Sequence, residues 1–148
     1  MSEIKFESLY TPHKPAMRQI VELINQEQGL LPQFYWPQDQ LGAELATAEA
    51  LGIFEGEELV GFVLYRDMPG AWEISLVATH PQYRRRGYME KLIQHMIAAK
   101  GQGRELWLEV HQDNHGAQKL YEKLGFKMTG RRARYYKDGA TALLYSCP

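Results

Sequence analysis

Residues 72–110 constrain the fold more than any other part of the chain. Trp72-Glu73-Ile74-Ser75-Leu76-Val77-Ala78 reads as a strand, and strand alternation predicts that Trp72, Ile74, Leu76 and Ala78 share one face. The loop His80-Pro81-Gln82-Tyr83-Arg84-Arg85-Arg86-Gly87 follows, and then Met89, Leu92, Ile93, Met96 and Ile97 recur at helical spacing. Gly101 and Gly103 end that helix, and Leu106-Trp107-Leu108-Glu109-Val110 is a second strand. Its Leu106, Leu108 and Val110 lie on one face and its Trp107 and Glu109 on the other. A strand–helix–strand unit of this length predicts parallel strands joined by a right-handed crossover, so the sheet must carry a helix on at least one face.

The flanking segments extend that unit into one domain over residues 1–148. Residues 4–10 suggest a first strand, and Met17, Ile20, Val21 and Ile24 mark a helix ending near Gly29. The stretch Leu-Leu-Pro-Gln-Phe-Tyr-Trp-Pro-Gln-Asp-Gln from residue 30 is irregular, with a weaker helical segment over 38–48. Strands follow over 50–54 and 58–66 around Glu55-Gly56-Glu57. Beyond the central unit, Ala117, Leu120, Tyr121 and Leu124 form the stripe of a last helix, capped by Asp113 or Asn114 and ended by Gly125. Strands over 126–136 and 140–146 close as a hairpin on Lys137-Asp138-Gly139. The order β-α-α-β-β-β-α-β-α-β-β predicts an α/β fold, a mixed twisted sheet with helices on both faces.

The arginine loop carries the first chemical hint. Backbone N–H groups at a helix start have no intrahelical partner, and the helix dipole adds partial positive charge. With arginines beside it and a glycine that permits close approach, such a turn suits phosphate. Positive charge is local, in Arg84–Arg86 and in Arg131, Arg132 and Arg134, while the net charge of the chain is −1. Attraction to nucleic acid or to an anionic membrane is therefore not expected. A single cysteine, Cys147, excludes an intrachain disulfide and fits a reducing, cytoplasmic setting. Neither a signal peptide nor a membrane-spanning run is expected. The five histidines lack metal-ligand spacing, so no metal is expected.

Two ordered motifs then name a family. Arg84-Arg85-Arg86-Gly87-Tyr88-Met89 resembles the acetyl-CoA motif Gln/Arg-x-x-Gly-x-Gly/Ala of the GCN5-related N-acetyltransferase (GNAT) superfamily, with Met89 in place of the small last residue. The block from Asn114 to Phe126 resembles its later motif, N-x-x-A-x-x-L-Y-x-K-x-G-F, almost letter for letter. Leu106–Val110, that same block and Arg131–Gly139 also resemble the RimI group, which acetylates the N-terminal alanine of a small-subunit ribosomal protein. The resemblance covers the full chain and implies the GNAT fold. It implies acetyl-CoA as cosubstrate, no metal, and as acceptor a primary amine, foremost a protein N-terminus. A monomer or a homodimer both fit.

The resemblance also assigns roles. Glu109 would be the general base on the acceptor ammonium, since acyl transfer needs a neutral amine. Tyr121 would protonate the departing coenzyme A thiolate. The backbone of Arg84, Arg85, Arg86, Gly87, Tyr88 and Met89 would cradle the pyrophosphate, and Val77, Ala78 and Thr79 would bind the pantetheine arm like an added strand. Asn114 would hydrogen-bond the cofactor or cap its helix. Trp36, Arg134 and Tyr135 would meet the acceptor. The final strand begins Gly139-Ala140-Thr141-Ala142, without the acidic pair usual in the RimI group. That departure sharpens one alternative, a small-amine acetyltransferase; a second, of another class, is a silent acyl-CoA-binding module.

Overall fold

The computed structural model describes residues 3–27, 29–30 and 34–148. Leu31, Pro32 and Gln33 of the proline- and aromatic-rich stretch lie outside them. The elements run in the expected order: β1 (Ile4–Ser8), α1 (Lys14–Asn25), α2 (Gln38–Thr47), β2 (Glu49–Glu55), β3 (Glu58–Met68), β4 (Ala71–Thr79), α3 (Tyr88–Ala99), β5 (Glu105–His111), α4 (His115–Lys123), β6 (Lys127–Arg132) and β7 (Ala142–Cys147). Seven strands form one mixed sheet in the order β1-β2-β3-β4-β5-β7-β6, in which only β4 and β5 are parallel.

Each face of the sheet carries its own core. On one face, Met89, Leu92, Ile93 and Met96 of α3 and Tyr121 of α4 pack against Leu106, Leu108 and Val110 of β5, and against Val60 and Val63 of β3. On the other, Met17, Ile20, Val21 and Ile24 of α1 and Leu41 and Leu45 of α2 cover Phe62, Leu64, Leu76 and Ala78. The helical stripes read from the sequence are thus the buried ones. Burying apolar surface on both sides gives the sheet the two-faced covering that parallel pairing requires.

Three expectations need correction. Trp72, Ile74, Leu76 and Ala78 do not share a face. The register of β3 on β4 runs Leu64↔Leu76 and then Tyr65↔Ile74, so Ser75 is an extra residue in the ladder. A bulge of this kind turns the following side chains over. Trp72 and Ile74 therefore pack with α3, and Leu76 and Ala78 with α1. The first helix stops at Asn25 rather than near Gly29. The last hairpin is also shorter than predicted. β6 ends at Arg132 after another irregularity at Thr129, and residues 133–141 form a loop before β7. The Lys137-Asp138-Gly139 turn survives inside that loop, closed by Gly139 N–H to Tyr136 O at 2.9 Å.

Candidate active site

The parallel pair that builds the fold also opens it. β4 and β5 are paired only at Ala71↔Glu105, Trp72↔Leu106 and Glu73↔Trp107. Beyond Glu73 the strands part, which leaves the β5-facing backbone edge of β4 without a neighbouring strand. A cleft of about 1390 Å³ fills the gap. It is lined by Ile74 to Val77 and Thr79 from β4, by Trp107 to Val110 from β5, and by Asn114 and Tyr121 at and within α4. An unpaired strand edge facing a cavity is the feature that accepts an extended amide-bearing chain. Val77 and Thr79 line the cleft, while Ala78 turns its methyl into the core at 1% exposure.

At one end the cleft meets a smaller cavity of about 210 Å³ bounded by Thr79, Tyr83, Arg84, Arg85, Gly87, Tyr88, Met89 and Glu90. Gly87 caps α3 with φ 76°, in the left-handed region, and no side chain caps the helix. Arg85 also has a positive φ of 64°. Two left-handed residues bend the loop so that the unpaired N–H groups of the first helical turn face the cavity. The first intrahelical bond of that turn is Lys91 N–H to Gly87 O, at 3.1 Å. The three arginine side chains behave differently. Arg85 lines the cavity. Arg84 makes a two-pronged ion pair with Glu27 at 2.5 Å, and Arg86 lies 5.0 Å over the Tyr83 ring.

Met89, the departure from the motif, is explained by packing. It is buried at 9% exposure, and a Cβ on Gly61 of β3 would lie 3.5 Å from its methyl carbon. That distance is ordinary contact, so the burial of Met89 reflects its place on the apolar stripe of α3, where it packs in one core with Leu92, Ile93 and Met96.

At the other end stands Glu109, on the face of β5 opposite the α3 core. Its carboxylate is 30% exposed and lies 3.4 Å from Arg132 of β6. Tyr135 directs its hydroxyl to the same carboxylate. Burial, then that hydrogen bond and the negative charge, push the Tyr135 phenol above its ordinary value. Tyr136, also in the cleft, is pushed up by burial and by Glu109. Tyr121 is buried at 6% exposure on the inner side of α4, its ring 5.5 Å from Phe126. Burial raises its hydroxyl well above the usual value, because the phenolate would lose its hydration there. Asn114 caps α4 by accepting from Ala117 N–H at 3.2 Å and lines the cleft as well.

Trp36, between α1 and α2, lines the cleft. Asn25, the last residue of α1, holds it through both backbone groups, donating to Trp36 O at 2.7 Å and accepting from Trp36 N–H at 3.1 Å. Phe34, Tyr35 and Pro37 line the cleft beside it. Arg134 is exposed with φ 54° and does not line the cleft; Arg132, two residues earlier, does. Glu73, Trp107 and Tyr136 were missed as lining residues. The pairing Glu73↔Trp107 shows the signal that was available, since Glu73 shares the face that carries Trp107 and Glu109.

An acetyltransferase family model, Acetyltransferase (GNAT) family, matches residues 14–126. The chain belongs to the GNAT family. Its relatives include the N-alpha-acetyltransferase RimI of Mycobacterium tuberculosis, 33% identical over 114 residues, which span 72% of each protein. An uncharacterised Mycobacterium leprae protein is 34% identical over 116 residues, 74% of this chain but 32% of that one. The chain therefore spans between about a third and about seven-tenths of these relatives. The ribosomal-protein-S18-alanine N-acetyltransferase of Escherichia coli shares the fold with a TM-score of 0.84 at 24% identity, over 99% of this chain and 94% of that one. The mixed sheet flanked by helices is thus the GNAT architecture. Among the described residues, no helix is long and apolar enough to cross a membrane.

Proposed function

We propose that this GNAT protein transfers the acetyl group of acetyl-CoA to a primary amine, with a protein or peptide N-terminus as its acceptor. The observation that carries the reading is one continuous cleft. It has a phosphate-suited helix start at one end, a free strand edge along its wall, and Glu109 with Tyr135 at the other end. Acetyl-CoA has matching parts in that order: a pyrophosphate, an amide-bearing arm and a reactive thioester. The relatives named for N-terminal acetylation support the choice of acceptor.

In this reading Glu109 takes the proton that the acceptor ammonium must lose before its nitrogen can attack. The approaching ammonium shares the carboxylate with Arg132 and Tyr135, which fix its orientation. A backbone N–H near Val77 polarises the thioester carbonyl. Attack forms the new amide C–N bond, the C–S bond breaks, and the sulfur leaves as thiolate. Tyr121 supplies the proton. Its raised hydroxyl stays protonated throughout neutral pH, so the acid form is always present.

The test is a screen of purified protein with acetyl-CoA against an Ala-starting peptide, spermidine, free amino acids and an aminoglycoside, reading coenzyme A release. The peptide is expected to be the best acceptor. Turnover of a small amine with none of the peptide would replace the acceptor assignment. Failure to bind acetyl-CoA or to release coenzyme A with any amine would sink the whole reading.

A further inference from the structure

His111 is fully buried at the end of β5, two residues beyond Glu109, and nothing in the reaction just described uses it. Both ring nitrogens are engaged. Nδ1 accepts from Asp113 N–H at 3.0 Å, and Nε2 lies 2.8 Å from Asp138 Oδ2. An imidazole whose Nδ1 accepts a backbone N–H carries its proton on Nε2, so His111 donates to the Asp138 carboxylate. The ring of Tyr136 stacks on the imidazole, with centroids 4.9 Å apart. Asp138 also accepts from Ala140 N–H at 2.9 Å, and the neighbouring Gln112 binds Thr141 through its side chain at 2.7 Å and its backbone N–H at 3.0 Å. These contacts attach the loop 133–141 to the end of the strand that bears Glu109. Tyr135 and Tyr136, the cleft-lining residues of that loop, have no strand pairing. Their N–H groups bond to Ala140 O inside the loop, at 3.0 and 3.3 Å, so the loop's place on the strand end rests on the His111 and Gln112 contacts.

We propose that His111 is the positioning residue of the acceptor pocket: through Asp138 and Tyr136 it sets where Tyr135 and Tyr136 stand over Glu109. The proposal rests on reading that pocket as the acceptor site. His111 does not touch the acceptor and takes no proton from it. Fixing the two tyrosines beforehand spares the acceptor the entropy of ordering the loop, so loss of the link should weaken acceptor use and leave the distant phosphate loop unchanged.

The experiment compares His111→Ala, Asp138→Ala and the double variant, each as the full chain. Asp138 is on the surface, so its variant tests the link even if the His111 replacement folds poorly. Kinetics use the Ala-starting peptide, or spermidine if the screen finds only small amines. We expect each single change to raise the acceptor KM about tenfold, with the acetyl-CoA KM held within about twofold. The double variant should be no worse than the worse single, because both break one link. His111→Gln, which brings an N–H toward the Nε2 position, should be less impaired than His111→Asn, which fills only the Nδ1 position. Trypsin should cut after Arg134 or Lys137 earlier in the variants than in the wild type. Additive losses, an equal rise in acetyl-CoA KM, Asn outperforming Gln, or unchanged acceptor KM and nicking would each overturn the proposal. A wild type that ignores the peptide breaks only the acceptor assignment, since the spermidine kinetics and the nicking pattern still decide the role of His111.

Discussion

The phosphate-loop end of the cleft takes its backbone donors from one run, Arg84 to Met89, whereas the proposed acceptor end gathers Trp36, Glu109, and Arg132 with Tyr135 from three separate segments. The first end is a matter of local backbone conformation. Gly87 and Arg85 take left-handed angles, α3 begins, and the donors face the cavity whatever the surrounding side chains are. The second end is a matter of packing. Each side chain is aimed by a contact with something remote in sequence: Trp36 by Asn25, Tyr135 by Glu109, and Tyr136 by His111. The difference implies that the two ends can be damaged independently.

The largest effect should come at the carboxylate proposed as the base. Glu109→Gln keeps the shape and the contact with Arg132 but removes the proton acceptor. We expect kcat to fall by about 10²-fold or more, the range for losing a general base, with acetyl-CoA affinity unchanged by calorimetry. A fall in cofactor affinity of similar size would mean that the ends are not separable. Tyr121→Phe should lower kcat by about 10- to 100-fold while the ring keeps its packing on Phe126. Burial disfavours the phenolate, so the Tyr121 hydroxyl loses its proton only above the ordinary tyrosine value of about 10. The wild type and Tyr121→Phe should therefore show kcat–pH profiles of the same shape between about pH 6 and 10. An alkaline limb present only in the wild type would contradict this.

Gly87→Ala addresses the phosphate end alone. A Cβ there would meet no atom within 4 Å, so the penalty is conformational rather than a clash. Holding alanine at φ 76° costs about 1 kcal/mol. If the cradle needs that turn, the acetyl-CoA KM rises about fivefold and the acceptor KM stays put. A rise in the acceptor KM of equal size would remove the distinction between the two ends.

The same contrast decides what was legible in the sequence. Stripes such as Met89, Leu92, Ile93 and Met96 announce their helix because periodicity is local, and so does the Gly87 turn. The bulge at Ser75 left no mark. One added residue in a ladder preserves the alternation of residue types while reversing the faces, so Leu76 and Ala78 read as sharing a face with Trp72 and Ile74 when they lie on the opposite one. The irregularity at Thr129 and the early end of β6 likewise left Arg132, not Arg134, beside Glu109. The His111–Asp138 link joins residues 27 apart. No spacing rule connects them, because their meeting depends on β7 lying between β5 and β6. The face that Glu109 occupies was readable from alternation within its own strand, while its proposed role came from the resemblance and not from spacing. The partners of Glu109 were not readable, since they come from other strands.

The smallest effect, and the finest test of independence, concerns Asn25. Its amide clamps both backbone groups of Trp36, and no other described residue hydrogen-bonds them. Asn25→Ala removes both bonds, worth about 1 kcal/mol each before water replaces part of them. Trp36 then loses the clamp that fixes it in the cleft wall. The acceptor KM should rise about three- to fivefold, with kcat and the acetyl-CoA KM nearly unchanged. Asn25→Asp separates the two arms of the clamp. Its carboxylate still accepts from Trp36 N–H, but it sets a negative oxygen against Trp36 O, where a donor stood at 2.7 Å. That repulsion should make Asp at least as damaging as Ala. Were Asp to behave like the wild type, the N–H arm alone would hold Trp36. A matching rise in the acetyl-CoA KM would instead tie Trp36 to the cofactor, through the Glu27–Arg84 ion pair that lies two residues beyond Asn25.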